Sequence, residues 1–151
     1  MDDLRELYQA TILDHNKSPR NFGKLPLANR FAKGDNPICG DKLQIQLEVD
    51  GDDRVVDVRF DGKGCAISTA SASLMTEFVK GCRREEIDEL FARFHALVTG
   101  NPSESVEVPE LGKLAVFSGV REYPVRVKCA TLCWHTLRAA LSQRDEIART
   151  E

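Results

Sequence analysis

The sequence predicts an α+β fold, a small antiparallel sheet of about three strands with helices packed on one face. Three observations carry that expectation. From Lys42 to Val49 the residues alternate strictly, Leu43, Ile45, Leu47 and Val49 to one side and Lys42, Gln44, Gln46 and Glu48 to the other. Beyond Asp50-Gly51-Asp52-Asp53, a turn by composition, Val56, Val58 and Phe60 alternate again, which makes a half-solvated hairpin. Most of the chain beyond that hairpin has helical period, and no βαβ alternation interrupts it.

Taken in order, Leu4, Leu7, Tyr8 and Ile12 recur at helical spacing and predict a first helix from Asp2 to about Asn16. Pro19, Gly23 and Pro26 end it, and Lys17 to Pro37 reads as loop with one irregular strand near Arg30 to Gly34. After the hairpin, the small residues from Ala66 to Ser73 let a helix begin directly behind Cys65 and lie close on the sheet, with Gly81 as its stop. Ile87, Leu90, Phe91, Phe94 and Leu97 form the buried stripe of a helix from about Arg84 to Val98, broken by Gly100-Asn101-Pro102. Ser103 to Gly119 reads as an acidic loop followed by a short helix around Leu111 to Phe117. Pro124 to Lys128 is expected to be extended, with the last helix starting at about Cys129 and running into a charged tail. There is no internal repeat.

At 151 residues, 42% hydrophobic and 30% charged, the chain suits one compact domain over 1–151. No apolar run is long enough for a membrane span, and the acidic, amphipathic start is unlike a signal peptide, so the expected compartment is the cytoplasm. A net charge of −3 argues against nucleic acid as a partner, because phosphate binding needs a concentrated basic face. Five cysteines in a reducing compartment are an unsuitable number for a disulfide framework; such thiols are buried, metal-bound or reactive.

Asn36-Pro37-Ile38-Cys39-Gly40-Asp41 places a thiol and a carboxylate on either side of a glycine, where an extended chain points both to one side. Cys65 stands just before a helix, and Cys129 is expected at a helix start, where unpaired N–H groups favour thiolate. Three thiolates and one carboxylate suit tetrahedral zinc, and thiolates equally suit iron–sulfur ligation. Spacing alone leaves open that these are small buried residues, since no Cys-x-x-Cys pair is present. Cys133, four residues beyond Cys129, is either a further thiol near that site or an inward-packed core residue. Cys82 is expected to be a surface thiol without a role. His15, His95 and His135 are expected at the surface or its boundary rather than as ligands. Arg126 and Lys128, two apart in the expected extended segment, would share a face and draw an anion or an acidic partner toward Cys129.

Four runs together resemble the U-type iron–sulfur cluster assembly proteins, the NifU N-terminal and IscU-like family. They are Leu7-Tyr8-Gln9 with Asp14 to Asn21, Asn36 to Asp41, Gly64 to Ser73, and Arg126 to Leu132, and the resemblance covers nearly the whole chain. It points to the SufU branch, because IscU-type proteins carry a histidine where this chain has Lys128, and because the Asn101-to-Arg121 stretch lengthens the segment between the second and third cysteines. The resemblance implies an IscU/SufU-like fold, a zinc site of Cys39, Asp41, Cys65 and Cys129, and a role as sulfur acceptor for a SufS-type cysteine desulfurase. In the family picture Cys39 receives the persulfide, freed when a partner histidine replaces it on zinc, and Arg126 supports docking or the acceptor site. Two further readings are a scaffold that builds a [2Fe–2S] cluster on the same cysteines, and a structural zinc module that binds another protein. Downstream iron–sulfur assembly proteins are the expected recipients; neither nucleic acid nor membrane is.

Overall fold

The structure is a computed structural model and describes residues 2–38, 40–100, 111–142 and 148–149. The order is α1 (Asp2–Lys17), β1 (Arg30–Asn36), β2 (Asp41–Val49), β3 (Val55–Lys63), α2 (Ala66–Val79), α3 (Arg84–Thr99), a 3-10 helix (Gly112–Glu122), α4 (Pro124–Leu141) and β4 (Ala148–Arg149). The predicted α+β class and the antiparallel hairpin are present. β1 also joins β2 antiparallel, from Arg30 opposite Leu47 to Asn36 opposite Asp41, so the strand expected to be irregular is regular and two residues longer. A short β4 adds a parallel edge beside Gly34 and Asp35, which a charged tail gives no reason to expect, and the sheet order is β3-β2-β1-β4.

One face of the sheet is apolar. Ala32, Leu43, Ile45, Leu47, Val49, Val55, Val58 and Phe60 all turn inward and are buried, as period two requires of strands with one covered face. Val56 departs from the expected alternation and is 43% exposed. Glu48 pairs with Asp57 and Val49 with Val55, so Val56 is the extra residue of a β-bulge and the inward register passes to Val55.

α2 and α4 cover this face, α4 across β1 and β2 and α2 against β3, and α1 and α3 lie outside them. α2 is apolar or small nearly all round, with Ala70, Ala72, Leu74, Met75 and Val79 buried beside Ser71 and Ser73, the composition of a helix packed on several sides. Its serines are satisfied: Ser71 Oγ donates to the Ala130 carbonyl at 2.6 Å and so ties α2 to α4. Trp134 of α4 stacks on Phe94 and Phe91 of α3, with centroids 5.2 and 6.1 Å apart. Leaving α1, the chain bridges Phe22 to Phe60 along the free edge of β3, and its Leu25 N–H then donates at 2.6 Å to Oε1 of Gln46, a residue of the outward-facing set of β2.

Two further expectations are corrected. α4 begins at Pro124, five residues before Cys129, with Tyr123 as an extended N-cap. Proline there lacks only an N–H that no helix start can pair, and its fixed φ suits the first turn, so it opens the helix instead of extending the chain. His15 is buried at 1% exposure, because α1 lies on α2 and the imidazole Nδ1 sits 2.7 Å from Ser73 Oγ. Arg20 N–H donates to the same hydroxyl at 2.8 Å, which fixes the chain leaving α1. His95 is exposed and His135 partly buried, as expected. The expected acidic loop and the Asn101-Pro102 break lie outside the described residues; Gly100, at φ +67, caps α3 in the left-handed region that glycine favours.

Candidate metal centre

The centre lies at one end of the sheet, where the β1–β2 hairpin meets α2 and α4. Asn36 and Asp41 form the last cross-strand pair, and both side chains face the helices, buried at 0% and 2% exposure. The four residues between them make a tight return: Gly40 N–H donates to Asn36 O at 2.8 Å, and Gly40 takes φ +76, a conformation a side chain would strain. Cys39 belongs to this return by sequence and lies outside the described residues.

Cys65 is the N-cap of α2 with φ −69 and ψ 171, and its Sγ accepts from Ser68 N–H at 3.4 Å. A thiol here does what serine or aspartate does at most helix starts, satisfying an orphan donor within the positive end of the helix field. The Cys65 N–H donates to Asp41 Oδ1 at 2.9 Å, and Asp41 Oδ2 lies 3.8 Å from Cys65 Sγ. The approach is close because Gly64 carries no side chain; a Cβ there would stand 3.3 Å from Asp41 Oδ1 and 3.0 Å from Ser68 Oγ.

Cys129 reaches the same place from the second turn of α4 and is 3% exposed, whereas Cys65 is open to solvent. One ligand atom each from Asp41, Cys65 and Cys129 lies within 4.8 Å of the others. Donors on a tetrahedral zinc, with bonds of about 2.0–2.3 Å, stand about 3.3–3.8 Å apart. The three atoms are therefore within a small inward shift of that spacing, and two sulfurs with one oxygen form a donor set suited to zinc or to iron. Three of the four expected ligands come together in the structure.

Cys133 is not among them. It is fully buried, its Sγ lies 3.4 Å from Ser71 Oγ, and burial pushes its thiol up to about 12. Of the two readings of this residue, the inward core position is the one observed. Cys82 is half-buried instead of on the surface, donates to Phe78 O at 3.2 Å, and has its pKa raised by burial and then by Glu86. Arg126 and Lys128 do not share a face, because two residues in a helix turn through about 200°. Arg126 stands one turn before Cys129 on the same side and is exposed, its guanidinium 4.3 Å over the Tyr123 ring. Asn36 is the residue that sequence reasoning passed over: its Nδ2 donates to Cys129 Sγ at 3.9 Å. Asn-Pro is an ordinary turn signal, and nothing in it announces a contact with a sulfur 93 residues away.

Residues 7–142 match the family model described as NifU-like N terminal domain. The chain belongs to that family. The NifU-like domain here is 37% identical over 145 residues to a protein of Streptococcus pyogenes named iron-sulfur cluster assembly scaffold protein IscU, covering 95% of this chain and 87% of that one. It is also 37% identical over 143 residues to the zinc-dependent sulfurtransferase SufU of Bacillus subtilis, covering 95% of each. A crystal structure from Fervidobacterium islandicum, titled a putative iron-sulfur cluster assembly scaffold protein for the SUF system, superposes with a TM-score of 0.80. Its identity is 37%, with 87% of this chain and 93% of that one covered. The NifU-like fold expected from the sequence is thus the fold observed.

Proposed function

We propose that this protein is a zinc-dependent sulfurtransferase of the SufU type, a single cytoplasmic domain over 1–151. It accepts persulfide sulfur from a SufS-type cysteine desulfurase and passes it to downstream iron–sulfur assembly proteins. The observation that carries this reading is the convergence of Asp41, Cys65 and Cys129 on one point from three distant segments. Cys39, two residues from Asp41 on the same hairpin, is assigned as the fourth ligand and the sulfur acceptor. The likeness to the Bacillus subtilis SufU supports the reading over 95% of the chain, and Lys128 in place of a histidine removes a ligand that a cluster scaffold would use.

Bound zinc would supply ionised thiols protected from oxidation. The rest falls to the chain. The Cys39 thiolate attacks the outer sulfur of the desulfurase persulfide; a new S–S bond forms on Cys39 as the old one breaks, and the desulfurase cysteine leaves as thiolate. The outer sulfur keeps its proton, and no net oxidation occurs. Asp41 and Cys65 are held by the 2.9 Å bond between them and by the α2 N-cap. Arg126, exposed at the α4 start, is assigned to the docking of the partner or the charge of the acceptor site.

A second reading is favoured by the equally similar relatives named IscU: a scaffold building a [2Fe–2S] cluster on Cys39, Cys65 and Cys129. Metal analysis and absorbance of protein purified without oxygen separate the two, paired with desulfurase turnover with and without this chain. One zinc per chain, no visible chromophore and faster turnover support transfer. A chromophore lost on substitution of any of the three cysteines replaces it with the scaffold.

A further inference from the structure

Asn36 lies between the thiol-bearing return and the sulfur of α4, and it touches both. It is fully buried and pairs across the hairpin with Asp41. Its Oδ1 accepts Ile38 N–H at 3.3 Å and its main-chain carbonyl accepts Gly40 N–H at 2.8 Å, so it bonds the residues on both sides of Cys39 in the chain. Its Nδ2 donates to Cys129 Sγ at 3.9 Å, a long contact that a charged sulfur would draw shorter.

We propose that Asn36 is a positioning residue of the thiol centre: its amide holds the Cys39-bearing return in register with the Cys129 sulfur. The physical reason is the two-ended chemistry of a carboxamide. One end accepts and the other donates, so one rigid planar group fixes a backbone N–H and a sulfur at a set separation. Aspartate would place a second carboxylate beside Asp41 and present no donor to the sulfur; leucine would match the shape and bond neither. Cys65 is placed without Asn36: its sulfur accepts Ser68 N–H at the start of its own helix, and its own N–H donates to Asp41 Oδ1. The metal arm of the test rests on the zinc reading; the cross-linking arm does not.

Two variants separate positioning from folding. Asn36→Ala removes both bonds, whereas Asn36→Ser keeps an acceptor for Ile38 N–H on a side chain too short to reach Cys129. Zinc affinity, measured by competition with a chromophoric chelator, is expected to fall about 10- to 100-fold in both variants, the usual cost of losing a partner of a metal ligand. Amide exchange at Ile38 and Gly40 is expected to accelerate in Asn36→Ala and to stay near wild type in Asn36→Ser. In metal-free protein, a short bifunctional thiol reagent is expected to join Cys39 to Cys129 less in both variants, with the Cys65-to-Cys129 yield unchanged.

Affinity loss confined to Asn36→Ala and tracking its amide exchange would reduce Asn36 to a turn former and overturn the inference. So would cross-linking that ignores both substitutions. Wild-type protein that binds no zinc, while its Cys39-to-Cys129 cross-link still depends on Asn36, would remove the proposed function and leave the positioning role standing.

Discussion

Adding one methyl group at Gly34 tests how α4 is seated on the sheet, and with it how Cys129 is delivered. Gly34 is buried on β1, paired with Leu43, and its face lies under α4. A Cβ there would run into Thr136 Oγ1 and stand 3.2 Å from both Leu132 Cδ1 and Thr136 Cβ. Its backbone is not in the left-handed region, so Gly34→Ala should gain about 0.5–1 kcal/mol from reduced chain entropy. Overpacking a tight core costs about 1–3 kcal/mol, and the obstructing oxygen is itself held, donating to Leu132 O at 2.8 Å. Because the clash is with a held atom, the upper part of that range, about 2–3 kcal/mol, applies, and overpacking wins by about 1–2.5 kcal/mol, a fall of about 2–10 °C in Tm for a chain of this size. Thr136→Ala alone should cost less than about 1 kcal/mol, since the Leu132 carbonyl keeps its helix partner. In the double variant the methyl group has room, and a coupling of at least about 1 kcal/mol is expected. Urea unfolding of the four proteins, all held metal-free, measures it. A Gly34→Ala protein as stable as wild type, or one that Thr136→Ala does not rescue, would refute this packing of α4 on β1.

The same geometry sets three other outcomes. Under the zinc reading, chelation should lower the melting temperature as well as abolish sulfur transfer; zinc at a hundredfold its Kd is worth about 2.7 kcal/mol, or about 5–10 °C, and calorimetry showing equal melting with and without metal would contradict it. His15 and His135 both have pKa values lowered, first by burial; the unfolded chain then binds more protons than the folded one below about pH 6.5, so stability should be full above that pH and fall as pH drops through it. His15→Gln should flatten part of that slope in pH-dependent urea titrations, leaving the share of His135; an unchanged slope would count against a buried neutral His15. With iodoacetamide at pH 8, metal-free protein should be alkylated at exposed Cys65 before buried Cys129, while Cys133, buried and pushed up to about 12, should react only on unfolding, as read by peptide mass mapping.

Much of the fold was legible because its signals are local. Leu43, Ile45, Leu47 and Val49 alternate without exception, and they form β2 of the β2–β3 hairpin; Ile87, Phe91, Phe94 and Leu97 recur at helical spacing, and they form the buried side of α3. What local pattern does not carry is an extra residue in a strand or the sense of a proline. Val56 is as apolar as Val58, and only the pairing of Glu48 with Asp57 puts it outside. Pro124 reads equally as a breaker or an opener, and the choice depends on α4 having a sheet to lie on. His15 shows the same limit: whether a histidine at a helix end meets solvent or Ser73 is decided by α2, 58 residues further on. The centre itself was legible as residue types and through a resemblance, whereas the meeting of Asp41, Cys65 and Cys129 is tertiary.

The start of α4 at Pro124 changes the chemistry of the centre more than it changes the fold. Read as a helix cap, Cys129 would sit at the end of its own helix, as Cys65 does. Placed in the second turn, it lies past the last unpaired N–H groups, where the helix field has largely decayed. It is also buried, at 3% exposure. The two sulfurs are therefore unequal by construction. Cys65 is exposed and capped by Ser68 N–H, while Cys129 depends on groups from elsewhere in the chain, of which Asn36 is one, and on any cation held between it and Asp41. Both sulfurs are nonetheless tied to the hairpin, so the centre keeps its geometry only while the hairpin is in place. Anything that moves the Asn36-to-Asp41 return, a docking partner included, therefore acts on both sulfurs at once, on Cys65 through Asp41 and on Cys129 through Asn36.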